Sequence, residues 1–107
     1  MKKLDFAKEN GLIPAVIQDF ETNEVYMVGY MNEESLRLTV ESGIVHFWSR
    51  SKKRIWKKGE SSGNILKIKE IKQDCDDDAL LISVELDGAA VCHTGNKSCF
   101  FKNSFEN

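Results

Sequence analysis

No apolar run in this chain approaches the roughly 20 residues that a bilayer-spanning helix requires. Nor does the front read as an export signal: Met1-Lys2-Lys3 is basic, but Asp5, Lys8 and Glu9 interrupt the apolar core such a signal needs. Proline occurs once, at Pro14, and no linker, internal repeat or low-complexity segment divides the chain, so residues 1–107 are expected to form one domain. Neither sign of charge is in excess. Lys and Arg number 15 and Asp and Glu 17, and a net charge of −2 provides no bulk field for a polyanion. Cysteine is scarce and odd in number: three thiols cannot close a disulfide framework within one chain. Unpaired thiols without an export signal indicate a cytoplasmic location.

All three cysteines fall in one stretch, which holds one of the two histidines as well. It reads Asp74-Cys75-Asp76-Asp77-Asp78, then an apolar run, then Cys92-His93-Thr94-Gly95-Asn96-Lys97-Ser98-Cys99. Three thiolates suffice for a catalytic zinc, which takes three protein ligands and keeps a fourth position for water. The plainer reading treats cysteines as small buried hydrophobes; the neighbouring histidine and carboxylates favour the metal. In an extended segment, Asp74, Asp76 and Asp78 would share one face, with Cys75 and Asp77 on the other. Hard oxygens suit magnesium and thiolates suit zinc, so one strand end would sort two metals. Asp74, Asp76, Asp78 and Glu85 also match spacings of an EF-hand loop, but Ala79 stands where its sharp turn needs glycine, and a strand composition follows.

Residues 1–13 are predicted to form a short amphipathic helix with Leu4, Phe6 and Ala7 as weak apolar contacts, closed by Asn10-Gly11. A hairpin is expected from 15–19 and 25–30. Residues 33–42 are predicted helical, with Asn32 as N-cap, Gly43 as stop, and Leu36 and Val40 buried on one face. Strand propensity returns at 44–50, placing His46 and Trp48 on one face and Phe47 on the other. The chain turns through Ser51-Lys52-Lys53-Arg54 and returns as Ile55-Trp56-Lys57-Lys58. The parity of Leu66 and Ile68 against Ile71 predicts a bulge within 65–73. Residues 79–86 are the cleanest strand, expected to pair back through Asp87-Gly88 with 89–92; Cys99-Phe100-Phe101 reads as a last short strand.

Arg50, Lys52, Lys53, Arg54, Lys57 and Lys58 concentrate positive charge and lead into Gly59-Glu60-Ser61-Ser62-Gly63-Asn64. A solvated face is the ordinary reading of such a run. Glycines and serines at a bend can instead offer N–H groups and hydroxyls to a phosphate. The same cations interleaved with Trp48 and Trp56 would also suit single-stranded nucleic acid, a reading the acidic overall balance disfavours.

Together these motifs resemble one family, phosphoribosyl-AMP cyclohydrolase, which opens the adenine ring in the third step of histidine biosynthesis. The matching segments are Gly11-Leu12-Ile13-Pro14-Ala15, Tyr30-Met31-Asn32-Glu33-Glu34, His46-Phe47-Trp48-Ser49-Arg50-Ser51, Trp56 through Asn64, Asp74 through Leu81, and Cys92 through Phe100. Departures are slight: Leu66 stands where a polar residue is expected, and Lys102 where Arg is common. The resemblance implies a monofunctional enzyme, since no fused pyrophosphohydrolase domain would fit this length. It implies a mainly β (α+β) fold, a curled mixed sheet or pseudobarrel with one or two short helices, assembled as a homodimer. It also implies one zinc per subunit shared between subunits, Cys75 of one meeting Cys92 and Cys99 of the other, and magnesium at Asp74, Asp76 and Asp78.

The implied substrate is a small phosphorylated nucleotide, 1-(5-phosphoribosyl)-AMP, with no nucleic acid or membrane partner. Alkylation at N1 makes the adenine electron-poor, so water activated by zinc adds at C6, as in the zinc deaminases. The tetrahedral centre then loses either its amine or N1, and a proton delivered to N1 opens the ring. His93 and His46 are the candidate donors. Trp48, Ser49, Arg50, Lys58, Ser61, Ser62 and Gly63 are the candidate substrate and phosphate contacts. Two other classes compete: a zinc-stabilised nucleic-acid-binding module without turnover, and a nucleotide deaminase, which would release ammonia. The deaminase signature, H-x-E with a P-C-x-x-C pair, is absent.

Overall fold

A computed structural model describes residues 3–105. The N-terminal helix expected over 1–13 reduces to one 3-10 turn, Phe6–Glu9; the part of that expectation on Met1 and Lys2 lies outside the described residues. Asp5 caps the turn by accepting from Ala7 N at 3.1 Å, and Asn10 ends it in the left-handed region at φ 54°. The helix stops because the next residues are claimed by a sheet.

That sheet contains β1 (Ile13–Asp19), β2 (Val25–Met31), β5 (Ile65–Gln73) and β6 (Leu80–Asp87), in the order β2-β1-β6-β5. β1 pairs antiparallel with β2, with a shift between Ile17 and Gln18, and parallel with β6, Ala15 opposite Leu80. β5 and β6 are antiparallel, and the bulge expected in 65–73 falls between Ile68 and Glu70. β3 (His46–Ser49) and β4 (Arg54–Lys57) form a separate two-stranded hairpin. The architecture is thus mainly β, with a mixed sheet and one α-helix. The sheet remains open at β2 and β5 and does not close into the expected pseudobarrel.

The helix α1 (Glu33–Ser42) carries a full capping box. Asn32 Oδ1 accepts from Ser35 N at 2.8 Å, while Ser35 Oγ accepts from Asn32 N at 2.9 Å. Gly43 ends it at φ 76°, where a side chain would be strained. The buried residues are Ser35, Leu36 and Thr39; Val40, expected inside, is 45% exposed. At about 100° per residue, Val40 lies roughly 90° round from the centre of that stripe. The stripe tolerates two hydroxyls because both are satisfied: Thr39 Oγ1 donates to Ser35 O at 2.8 Å and accepts from His46 N at 2.9 Å. This ties α1 to the first residue of β3.

Between the sheet, α1 and the hairpin lies the core, which includes Ile13, Ile17, Met31, Val45, Phe47, Leu66 and Ile82. Leu66, where the resemblance predicts a polar residue, is fully buried and serves packing. Phe47 passes under β2 so closely that a Cβ on Gly29 would sit 2.5 Å from its ring. No helix among the described residues is long and apolar enough to cross a membrane.

Two expected pairings do not form. Residues 89–92 cannot return against β6, because β1 and β5 occupy both of its edges. They run instead as a loop: Ala89 N donates to Asn64 Oδ1 at 3.1 Å, and Val91 N to Lys97 O at 3.2 Å. Nor is Cys99-Phe100-Phe101 a strand. One backbone bond, Cys99 N to Tyr26 O at 2.8 Å, and the Ser98 hydroxyl donating to Val25 O at 2.6 Å hold it beside β2.

Candidate active site

The loop that β6 rejects becomes one wall of a cavity of about 470 Å3. The hairpin supplies Ser49, Lys52, Arg54 and Trp56; the bend after β4 supplies Lys58, Glu60, Ser61, Ser62 and Asn64; the loop supplies Val91, Cys92, His93 and Gly95. Three cations thus face three serine hydroxyls and one imidazole. Arg54 is partly neutralised by Glu60 at 2.8 Å, and that bond holds the Glu60 carboxyl below its ordinary range. Lys58 lies 5.5 Å over the Trp56 ring.

Cys92 is buried on this wall, and Thr94 Oγ1 donates to its Sγ at 3.1 Å. That hydroxyl is the main reason its thiol titrates below the usual range, with Cys99 and the Lys58 charge adding to the effect. Cys99 is the neighbouring thiol, raised by burial of its sulfur first and by Cys92 second. Of the two thiols, Cys92 is therefore the first to lose its proton. Cys75 does not join them. It is exposed on the aspartate loop, and among the described residues no three cysteine or histidine side chains converge.

Carboxylate oxygens of Asp74, Asp76 and Asp78 do lie within 4.8 Å of one another. The cause is not strand alternation, as the sequence suggests, but a turn. Asp77 takes the left-handed region at φ 62°, and Asp74 Oδ1 accepts from Asp78 N at 2.9 Å and Ala79 N at 3.1 Å. Those backbone donors lower the Asp74 carboxyl, while Asp74 raises that of Asp78. Lys8 reaches the group from the 3-10 turn, its Nζ 3.4 Å from Asp76 and 3.3 Å from Asp78.

The other expected contacts divide. Ser49, Lys58, Ser61, Ser62 and His93 line the main cavity, whereas Gly63 only shapes the bend. Trp48 and Arg50 line a second, shallower cavity of about 550 Å3 between β2 and β3, where the Arg50 guanidinium stacks 4.0 Å above Tyr30. Ser49 and Trp56 belong to both. His46 faces neither: it is half-buried, with Nδ1 2.8 Å from Ile44 O. Sequence reasoning passes over Thr94 and Asn64. A hydroxyl two residues beyond a candidate ligand cysteine was the signal for the first; the reach of Asn64 to Ala89 spans 25 residues and leaves no local trace.

A cavity that gathers a polarised cysteine, an exposed imidazole, lysines and serine hydroxyls defines an enzyme site for a small anionic ligand. Residues 27–101 match the family model of phosphoribosyl-AMP cyclohydrolase. A protein of that name from Solibacter usitatus is 59% identical over 99 residues, covering 92% of this chain and 79% of the relative. Its namesake from Archaeoglobus fulgidus is 56% identical over 94 residues, covering 88% and 86%. A histidine biosynthesis bifunctional protein from Caldanaerobacter subterraneus is 58% identical over 103 residues, 96% of this chain and 49% of that one. The chain belongs to the phosphoribosyl-AMP cyclohydrolase family and is a hydrolase of a cyclic amidine C–N bond.

Proposed function

We propose that this enzyme hydrolyses the N1–C6 bond of 1-(5-phosphoribosyl)-AMP with the help of zinc, as a cytoplasmic step of histidine biosynthesis. The observation that carries this reading is the convergence of Cys92 and His93 with Lys58, Ser61 and Ser62 on one cavity. The donor set fits a soft metal: two adjacent thiols, one biased to thiolate, supply Cys92 and Cys99 as ligands. The third ligand is Cys75 of a second copy, since its own chain leaves it exposed and apart. A homodimer follows, whose cavity is complete only across the interface. The three hard oxygens of Asp74, Asp76 and Asp78 fit magnesium.

Zinc, when bound, supplies a Lewis acid that brings the pKa of water to about 7. The chain's residues do the rest. Lys58, Ser61 and Ser62 hold one phosphate, and Arg50 at the adjoining cavity holds the other. Trp56 lines the space between them and offers a face to the purine. His93, exposed beside Cys92, delivers the proton to N1 as the ring opens, so that N1 leaves and the exocyclic nitrogen remains as a carboxamide. His93 is preferred to His46, whose ring is engaged by the Ile44 carbonyl outside the cavity. The test is turnover of 1-(5-phosphoribosyl)-AMP by the purified protein with bound zinc and ammonia measured in parallel. Ring opening with one zinc per subunit and no ammonia is expected; stoichiometric ammonia, or full turnover without zinc, sinks the reading.

A further inference from the structure

The loop after Cys92 turns back at once: Gly95 N donates to Cys92 O at 3.0 Å, and Cys92 N to Asn96 O at 3.1 Å. The turn brings Thr94 Oγ1 to 3.1 Å from Cys92 Sγ. Asn96 Nδ2 in turn donates to Thr94 Oγ1 at 2.8 Å. A hydroxyl has one proton to give. Because the Asn96 amide already occupies an acceptor site of that oxygen, the proton is left to point at sulfur. Donation therefore runs against the sequence order, from Asn96 to Thr94 to Cys92.

We propose that Thr94 is a positioning residue for the metal centre, its hydroxyl holding Cys92 Sγ beside Cys99 and Asn96 fixing the direction of that bond. The inference rests on the reading of Cys92 and Cys99 as zinc ligands. A cysteine side chain has one soft torsion, and a single donor to sulfur is enough to select among its staggered wells. The carbonyl and amide bonds of the turn hold the backbone without the hydroxyl, so its removal leaves the loop in place and the sulfur with the Thr94 N–H as its remaining donor in the turn. Partners that orient a metal ligand typically change metal affinity by about 10–100-fold when removed.

The experiment measures zinc affinity by competition with a chelator in the absence of substrate, on wild type, Thr94→Val, Thr94→Ser and Asn96→Ala. Thr94→Val keeps the shape of the side chain and loses the donor, and about a tenfold or greater loss of affinity is expected. Thr94→Ser restores the donor and should hold zinc within about threefold of wild type, with Asn96→Ala between the two. Cobalt substitution adds a spectroscopic readout: the sulfur-to-metal charge-transfer band should shift in Thr94→Val and return in Thr94→Ser. Circular dichroism and thermal melting of each variant show whether it folds. Wild-type affinity in folded Thr94→Val overturns the inference, as does equal weakening by valine and serine. Failure of the wild type to bind zinc overturns the reading of the ligands beneath it.

Discussion

The Lys8 ammonium lies 3.3 Å from a carboxylate oxygen of Asp78, although 70 residues separate the two. A tethered cation thus stands where three carboxylates converge, and it ties the 3-10 turn to the loop before β6. The Lys8 charge is favoured by that contact first and by Asp76 next. Any divalent cation bound by Asp74, Asp76 and Asp78 must displace it. Lys8→Met should therefore tighten magnesium binding by about two- to fivefold, the scale of an exposed ion pair. Calorimetric titration of wild type and variant decides this; weaker binding in the variant would mean that Lys8 assists the site.

Asp76→Asn tests whether the aspartates and the thiols are separate sites. Loss of one carboxylate oxygen should weaken magnesium binding and leave zinc content nearly unchanged. Metal analysis after dialysis reads both, and equal loss of the two metals would merge them into one site.

Gly29→Ala tests the packing of the hairpin on the sheet. A methyl group there would lie 2.5 Å from two carbons of the Phe47 ring, and Phe47 is 1% exposed. The ring has nowhere to retreat, so the substitution should cost about 1–3 kcal/mol in thermal or urea unfolding. An unchanged melting temperature would show that the hairpin shifts freely.

Much of this was legible in the sequence because it is local. The N-cap at Asn32, the stop at Gly43 and the β5 bulge are written in neighbouring residues, and each formed where expected. The hairpin imagined for 89–92 failed for a non-local reason: the free edge of β6 is taken by β1 from the far end of the chain. Val40 failed because a four-residue spacing does not say where the buried stripe is centred. The aspartates converge as expected but through a turn, since Asp74 caps its own backbone in preference to extending. Cys92, His93, Lys58 and the serines were named from local motifs, yet their meeting on one cavity depends on a loop whose path only the filled sheet edge explains.

Alkaline stability should be governed in part by Tyr26. Its hydroxyl donates to Asp19 Oδ1 at 3.0 Å, and burial, then Asp19, raises its pKa to about 12. The unfolded phenol ionises near 10. The neutral folded form is therefore favoured fully below about pH 10, and the stabilisation is lost as pH rises toward 12, on the order of 2 kcal/mol in all. Tyr26→Phe should flatten the fall in stability across that window. Asp19 acts at the other end: its carboxyl is lowered, chiefly by the Thr22 N–H, so its contribution is present above the ordinary Asp range and fades as acid protonates it. Urea unfolding at intervals from pH 9 to 12 measures the first effect, and identical slopes in both proteins would refute it.

The proposed sharing of zinc ligands between subunits is open to complementation. A subunit with Cys75→Ala retains Cys92 and Cys99, and a subunit with Cys99→Ala retains Cys75. Each homodimer should be nearly inactive, because two thiolates do not complete a three-ligand site. Mixing the two under subunit exchange produces heterodimers in which one interface regains all three thiolates while the other loses two. With free exchange about half of the dimers are mixed, so activity should return to roughly a quarter of wild type if the sites act independently. Exchange itself is followed with two distinguishable tags, and zinc content should rise with activity. Verified exchange without recovery would place all three ligands in one chain, which requires Cys75 to leave the aspartate loop and reach Cys92 and Cys99 within its own subunit.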